Sequence, residues 1–360
     1  MLKDLINFSK LFFIKKNLII FCETNNYSCY FSELIDQLQK KNVAFTYLCQ
    51  EGDVNIKRYG IKEYLSFKNV ILLSHAISFI SCKRLILTTP DFGNTIKISK
   101  KCEEFIYLFH SFVSSNLVYK EKAFDSYNVI LCVGPHHYKE FKSRHIKKKQ
   151  KLLKVGYPYL DTLLKKHIKN KIEASPNRVL IAPTWSPTDK NYYDNYDQLI
   201  QLLLKKNFEV ILRPHPEFFK RFFRQIANIE KKFSFSKNFY LDQSADNFDS
   251  LSKSKFLITD WSGIAFEFAF VFKRPVIFFD VKQKILNTDL KNSNYSAIEE
   301  TIRDEIGIIL EKKQIQNIEL YLQRLEINKE LYYKNIIQSI KKNVYNFGSS
   351  ASVIIKYLVD

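Results

Sequence analysis

Short runs of β-branched and aromatic residues recur along this chain, separated by amphipathic stretches, and that alternation restricts the fold more than any other feature. In the first half the runs are Asn17–Cys22, Val43–Cys49, Arg84–Leu87, Phe105–Phe109 and Val129–Val133. The second half restarts with Arg178–Ala182, Glu209–Leu212, Asn238–Leu241, Phe256–Thr259 and Pro275–Phe279. Runs that are apolar on both faces and alternate with helical patterns belong to parallel sheets covered by helices on each side. Between the first two runs, Ser28 to Lys41 carries helical spacing at Tyr30, Leu34 and Leu38, with Ser28 as the expected cap. A basic polar stretch from Lys165 to Asn177, containing Pro176, separates the halves. After Asp280 come a loop rich in Asn and Lys, helical patterns over Ser296–Leu325 (with a break) and Lys329–Asn343, and a short terminal one over Ser349–Tyr357. No internal repeat of 20–50 residues is present, which excludes a solenoid.

The expected architecture is α/β: two doubly wound, Rossmann-like domains facing a central cleft at the carboxyl ends of their strands. The boundaries expected are an N-terminal domain over 1–165, a C-terminal domain over 166–345 and a terminal helix over 346–360. A length of 360 residues agrees with two domains of roughly 100–200 residues each. With 46% hydrophobic and 26% charged residues the chain is neither disordered, collagenous nor a coiled-coil rod. The six cysteines, at 22, 29, 49, 82, 102 and 132, form no C-x-x-C pair and read as buried reduced thiols. Lys3, Lys10, Lys15 and Lys16 interrupt the apolar N-terminus, and no later apolar run approaches the roughly 18 residues of a membrane span. The reading is a cytoplasmic protein.

Lys+Arg number 56 against 37 Asp+Glu, a net charge of +19. Nucleic-acid binding would need a basic face interleaved with exposed aromatics, whereas the aromatics sit mostly inside the apolar runs, so no nucleic-acid partner is expected. The lysines cluster at 10–16, 139–154, 165–171 and 329–342. At about 1 kcal/mol per basic residue near an anionic leaflet, such clusters suit peripheral attachment to the inner face of the cell membrane.

Three segments carry chemistry. In F-E-V-I-L-R-P-H-P (Phe208–Pro216) a buried run ends at Leu212 and delivers Arg213 and His215 on a turn stiffened by two prolines. A cation and an imidazole at a strand's carboxyl end suit a phosphate-bearing ligand; the alternative is a proline-bounded surface turn. In F-L-I-T-D-W-S-G-I-A-F-E (Phe256–Glu267) a strand ends at Thr259, and Asp260 to Gly263 open a helix whose amides form an anion site. Ser262 adds a hydroxyl, Gly263 allows close approach, and Glu267 can accept from ribose hydroxyls. Simple capping by Asp260 or Ser262 is the competing account. In Y-L-F-H-S-F-V-S-S-N (Tyr107–Asn116), His110 ends a strand of the first half and is expected to face the cleft opposite His215, as a base for an alcohol nucleophile.

Weaker candidates are Thr184 and Ser186 in A-P-T-W-S-P, with Trp185 as packing; His136 and His137 in V-G-P-H-H, expected as surface or capping residues; and Asp161, expected to cap a helix. His75, His145 and His167 have no supporting neighbours. There is no G-x-x-x-x-G-K-[ST], no G-x-G-x-x-G and no G-x-S-x-G, which argues against a P-loop, a dinucleotide oxidoreductase and an α/β-hydrolase. No metal site and no cofactor are expected, because Asp and Glu do not cluster with His at ligand spacing.

Taken together, R-P-H-P at Arg213–Pro216, T-D-W-S-G-I-A-F-E at Thr259–Glu267, A-P-T-W at Ala182–Trp185 and V-G-Y-P at Val155–Pro158 resemble the CDP-glycerol glycerophosphotransferase family of teichoic-acid-type polymerases and primases. The resemblance covers about Tyr107 to Glu311 and implies a GT-B fold with a C-terminal crossover helix. It implies His110 as the general base, His215 on the donor pyrophosphate and Ser262 on phosphate. The chain departs from the family in carrying His110-Ser111 for His-Gly, Gly263 for a second Ser, and Glu267 for Asp. The activity implied is transfer of glycerol phosphate, or a related alditol phosphate, from a CDP-linked donor to a hydroxyl of a cell-surface polysaccharide or lipid-linked acceptor. The rival is a GT-B glycosyltransferase using a nucleotide sugar.

Overall fold

Thirteen strands build two all-parallel sheets among the residues described by the computed structural model, which are 2–13, 15–144, 150–187, 189, 191–244, 246–287, 289 and 296–359. The first sheet contains β1 (Lys16–Cys22), β2 (Thr46–Gln50), β3 (Tyr64–Phe67), β4 (Cys82–Leu87), β5 (Cys102–Leu108), β6 (Val129–Cys132) and β7 (Lys151–Lys154). Its order is β3-β2-β1-β4-β5-β6-β7. The second contains β8 (Ser175–Ile181), β9 (Glu209–Leu212), β10 (Phe239–Leu241), β11 (Ser254–Thr259), β12 (Val276–Asp280) and β13 (Gly307–Glu311), ordered β10-β9-β8-β11-β12-β13. In each sheet the direction of winding reverses once, between β1 and β4 and between β8 and β11. Such a reversal leaves a crevice at the carboxyl ends of the central strands, where ligands of open α/β sheets bind.

Two compact units contain these sheets: Met1–Thr162 with Asn287–Ser293 and Asn343–Asp360, and Leu163–Leu286 with Asn294–Lys342. In the first, Ile20, Ile86, Ile106 and Leu131 of the sheet pack against Phe31, Leu34 and Leu38, and against Ile354, Ile355 and Leu358 of the terminal helix Ser350–Val359. In the second, Ile181, Val210, Leu212, Ile258 and Ile277 pack against Tyr196, Leu199 and Leu203.

Local expectations fail where tertiary contacts decide. Ser28 caps nothing: it lies inside a 3-10 helix, Asn25–Phe31, its hydroxyl donating to the Asn25 carbonyl, and the following helix Ser32–Lys40 has no side-chain cap. The helical reading of Ser296–Leu325 is interrupted by β13, because the apolar run Gly307–Leu310 pairs with the buried β12. Residues 165–170, read as part of a separating stretch, continue the helix Pro158–Asn170. Cys29 and Cys102 are only half-buried, unlike the other four thiols; all six are free, and the Cys82 and Cys102 sulfurs lie 3.6 Å apart across β4 and β5. Among the described residues no helix is long and apolar enough to cross a membrane. His145 lies outside the described residues.

The V-G-Y-P-Y-L-D segment anchors the C-terminal helix. Asp161 is buried and accepts from the Gly348 amide (2.9 Å), the Ser350 hydroxyl (3.1 Å) and the Ala351 amide (3.3 Å), so it caps Ser350–Val359 and not its own helix. Gly156 has φ +97°, and a Cβ there would stand 2.1 Å from the Tyr345 carbonyl oxygen and 2.4 Å from Ser350 Oγ. Gly156→Ala combines a left-handed backbone with a backbone clash, and should cost about 2–3 kcal/mol or more in urea unfolding. An unchanged midpoint would show that this contact does not hold the terminal helix.

Candidate functional site

In the first unit His110 follows β5 and reaches the loop that follows the neighbouring β4. Its Nδ1 lies 3.0 Å from the Thr88 carbonyl oxygen. A carbonyl can only accept, so Nδ1 carries the proton and Nε2 keeps its lone pair. Nε2 accepts from the Tyr119 hydroxyl at 3.3 Å, a long bond that an incoming hydroxyl can replace. The rings of Tyr27 and Tyr30 lie 5.1 and 5.8 Å away. Burial pulls the imidazole down to about 4, against the opposing pull of the Thr88 carbonyl. The ring is therefore neutral at pH 7, with Nε2 as its acceptor atom.

His136 and His137 correct the sequence reading, since both are buried and neither caps a helix end. Pro135 starts the helix Pro135–Ser143 and turns the next two side chains inward. Their Nε2 atoms lie 2.9 Å from the carbonyl oxygens of Phe112 and Val113. Burial pulls both rings down to about 3.

In the second unit the carboxyl ends of β8, β9 and β11 meet. Asp260 is 1% exposed, and its carboxylate accepts from the amides of Thr184 (2.9 Å) and Trp261 (2.5 Å) and from the hydroxyls of Tyr192 and Tyr196 (2.7 Å each). Arg303 donates to the Asp260 carbonyl (3.0 Å) and stacks 3.4 Å from the centre of the Trp261 ring, whose N–H donates to the Val281 carbonyl (2.9 Å). With the turn fixed on its inner side, the amides of Ser262, Gly263 and Ile264 and the Ser262 hydroxyl make no hydrogen bond within the described residues. They begin the nine-residue helix Ile264–Phe272, a geometry that receives anions.

His215 reaches this turn through shared neighbours. Its amide donates to the Tyr193 hydroxyl (2.8 Å), which donates to the Pro183 carbonyl (3.2 Å), and its ring centre is 6.1 Å from that of Trp185. His215 Nδ1 accepts from the Glu217 amide (3.1 Å), so in the neutral ring the proton sits on Nε2. The two histidines thus carry opposite tautomers, one presenting a lone pair and the other an N–H.

Several residues singled out from sequence have their polar atoms engaged within the protein. Thr259 is fully buried and its hydroxyl is spent on the Ala182 carbonyl (2.6 Å). The Asp260 carboxylate is spent as described. Arg213 is committed to Asp242 (2.5 Å) and to Ser244. Thr184 is buried and accepts from Lys284 Nζ at 2.8 Å. Glu267 is buried and accepts from the Asn247 amide (2.7 Å). Ser186 is tied to the Asp189 amide (3.1 Å). Lys284 and Arg303 escape sequence reasoning because each sits in an ordinary polar context; only the fold brings them to the Asp260 turn. Among the described residues, no group of three or more His, Cys, Asp or Glu converges as metal ligands do.

Two sets of buried groups, three histidines of the first unit and Glu267 of the second, respond oppositely to acid. His110, His136 and His137 are depressed below 6.5, so the stability each contributes is present above pH 6.5 and lost as pH falls toward 4 and then 3. Glu267 is raised by burial from 4.5 to about 7, with Asn247 and Arg213 opposing, so its contribution is present below pH 4.5 and lost as pH rises through about 7. Urea unfolding at pH 5 and pH 8 should show that His137→Gln weakens the acid loss while Glu267→Gln weakens the alkaline loss. Equal pH slopes in both variants and the parent would remove these groups from the balance.

A profile described as CDP-glycerol:poly(glycerophosphate) glycerophosphotransferase matches residues 5–289. Over 261 residues the chain is 25% identical to the minor teichoic acid biosynthesis protein GgaB of Bacillus subtilis, covering 63% of this chain and 27% of that protein. The chain therefore spans about a quarter of the length of that relative. The wall teichoic acid polymerase TagF, in a structure soaked with CDPG, superposes with a TM-score of 0.60 at 16% identity, covering 99% of this chain and 92% of that one. UDP-GlcNAc 2-epimerase from Neisseria meningitidis, bound to UDP-GlcNAc, gives a TM-score of 0.60 at 15% identity, covering 96% and 100%. These likenesses, with the two parallel sheets, make the fold GT-B-like. By its match over most of its length, the chain belongs to the CDP-glycerol:poly(glycerophosphate) glycerophosphotransferase family.

Proposed function

We propose that this protein transfers glycerol phosphate, or a related alditol phosphate, from a CDP-linked donor to a hydroxyl of a cell-surface polysaccharide or lipid-linked acceptor, releasing CMP. The observation that carries the reading is the opposed protonation of two histidines in a chain of this family. His110 Nε2, held as a lone pair by the Thr88 carbonyl, takes the proton of the acceptor hydroxyl as its oxygen attacks the β-phosphorus. The bond between that phosphorus and the bridging oxygen breaks, and the electron pair leaves with CMP. His215, with its Nε2–H, and the amides of Ser262 to Ile264 hold the pyrophosphate charge. Lys284, next to Thr184, adds a cation to the same site. Glu267, raised to about 7 by burial, is partly protonated at neutral pH, so it adds less repulsion toward a phosphate than an ordinary carboxylate would.

Attachment to the inner face of the cell membrane belongs to the same reading. The helix Leu2–Phe13 leaves Leu2, Leu5, Ile6 and Phe13 exposed beside Lys10, a composition suited to an anionic interface.

Incubation with CDP-glycerol and a poly(glycerol phosphate) or glycan acceptor should release CMP. His110→Ala should lower kcat by about 100-fold or more, and His215→Ala should weaken both binding and turnover. Full activity in both variants would sink the mechanism. Thermal stabilisation by UDP-sugars, but by neither CDP-glycerol nor CMP, would favour sugar transfer. Vesicles rich in anionic lipid should bind the protein at low salt and release it at high salt, and equal binding to neutral vesicles would overturn the membrane assignment.

A further inference from the structure

Three consecutive parts of the loop that carries His110 are gripped by one face of one helix. After β5 the chain runs Phe109-His110-Ser111-Phe112-Val113-Ser114-Ser115. His136 and His137, adjacent on the helix Pro135–Ser143, donate from Nε2 to the carbonyls of Phe112 and Val113 at 2.9 Å each. One turn further on, Glu140 accepts from the Ser115 amide (2.7 Å) and from its hydroxyl, and Arg144 donates to that hydroxyl at 3.1 Å. Phe109, immediately before His110, stacks on the His137 ring with centroids 3.8 Å apart. The grip therefore begins one residue before His110 and continues two to five residues beyond it.

The choice of histidine at these positions is chemically specific. Each ring buries a second nitrogen, Nδ1, that has no partner among the described residues. Leaving a buried polar atom unpaired costs about 1–3 kcal/mol, so an apolar side chain would pack better at either position. What an apolar side chain lacks is the Nε2–H, which is the atom directed at the loop. Resting on the reading of His110 as the base, we infer that His136 and His137 are positioning residues that hold the His110 loop in the geometry needed for proton transfer. They touch neither substrate nor reacting atoms. Their effect passes through two backbone carbonyls, and a shift of about 1 Å in a reacting group can cost on the order of 100-fold in rate.

The test pairs removal of the donor with its restoration. His136→Leu and His137→Leu delete the N–H, whereas His136→Gln and His137→Gln place an amide N–H where Nε2 stands. Steady-state CMP release from CDP-glycerol should show kcat reduced by about 10–100-fold in the Leu variants, with the KM for CDP-glycerol within about threefold of the parent, and most of the lost kcat recovered in the Gln variants. A merely structural role predicts a lower melting temperature with kcat of the folded protein unchanged, and that result overturns the inference. Should the Leu variants fail to fold, Glu140→Gln keeps the shape and loosens only the Ser115 tie; a lower kcat at constant KM supports the grip, and a parental kcat overturns it. His110→Asn is measured alongside. Its inactivity with fully active Leu variants defeats the inference alone, while an active His110→Asn defeats the base assignment on which it rests.

Discussion

The buried carboxylate of Asp260 is the interaction on which the second unit's candidate site depends. Buried carboxylate oxygens must be met by donors, or their desolvation goes uncompensated. Asp260 is met by four, supplied by three stretches of chain: the Thr184 amide beyond β8, the Tyr192 and Tyr196 hydroxyls, and the Trp261 amide beyond β11. The carboxylate thus sets the distance between the two strand ends that flank the reversal of winding. Remove it and the buried Tyr192 and Tyr196 hydroxyls lose their shared acceptor. Because Asp260 takes its bonds inward, that of the Trp261 amide included, the amides of Ser262, Gly263 and Ile264 are left without a hydrogen bond among the described residues, so the local order D-W-S-G becomes a fold-level device.

In the first unit a single backbone carbonyl has a comparable effect. Thr88, at the end of β4, decides which nitrogen of His110 holds the proton. The parallel pairing of β4 with β5 is what brings residues 88 and 110 together, register by register from Cys82 opposite Cys102 to Leu87 opposite Tyr107. In the second unit the Glu217 amide makes the reverse choice for His215. Two residues of one type are thereby made chemically unlike, one an acceptor and the other a donor, by neighbours that carry no charge.

What the sequence discloses follows from burial. Interior strands are covered on both faces and read as continuous apolar runs, which is why β1, β2, β4, β5, β6, β8, β9, β11 and β12 are visible in it; the edge strand β10 is read too, within Asn238–Leu241. The strands it hides, β3, β7 and β13, are edges of their sheets. An edge strand is half exposed: Tyr64 is 44% and Ile309 37% exposed, and β7 reads K-L-L-K with both lysines in solvent. The same physics explains the side chains. Motif residues at strand ends are legible because the topology places all such ends on one rim. The burial of His136 and His137, and the capture of Arg213 by Asp242, depend on partners 24 to 29 residues away in the chain. No local pattern records those partners.

The net charge of +19 gains a different meaning once pairings are known. Many lysines meet a carboxylate in exposed pairs, such as Lys3 with Glu51, Lys15 with Glu103 and Lys206 with Glu319, and such pairs contribute little to stability. At the Asp260 turn the two arginines are already occupied, Arg213 by Asp242 and Arg303 by the Asp260 carbonyl and the Trp261 ring, while Lys284 meets only the Thr184 hydroxyl among the hydrogen bonds of the described residues. Under the proposed function, a pyrophosphate there is met, beside Lys284, by uncharged donors in fixed positions, the amides of Ser262, Gly263 and Ile264. Fixed dipoles need no reorganisation when charge moves from one phosphate to the next, whereas a free lysine would have to follow it. A site built this way suits a reaction in which negative charge shifts along a diphosphate as a bond within it breaks.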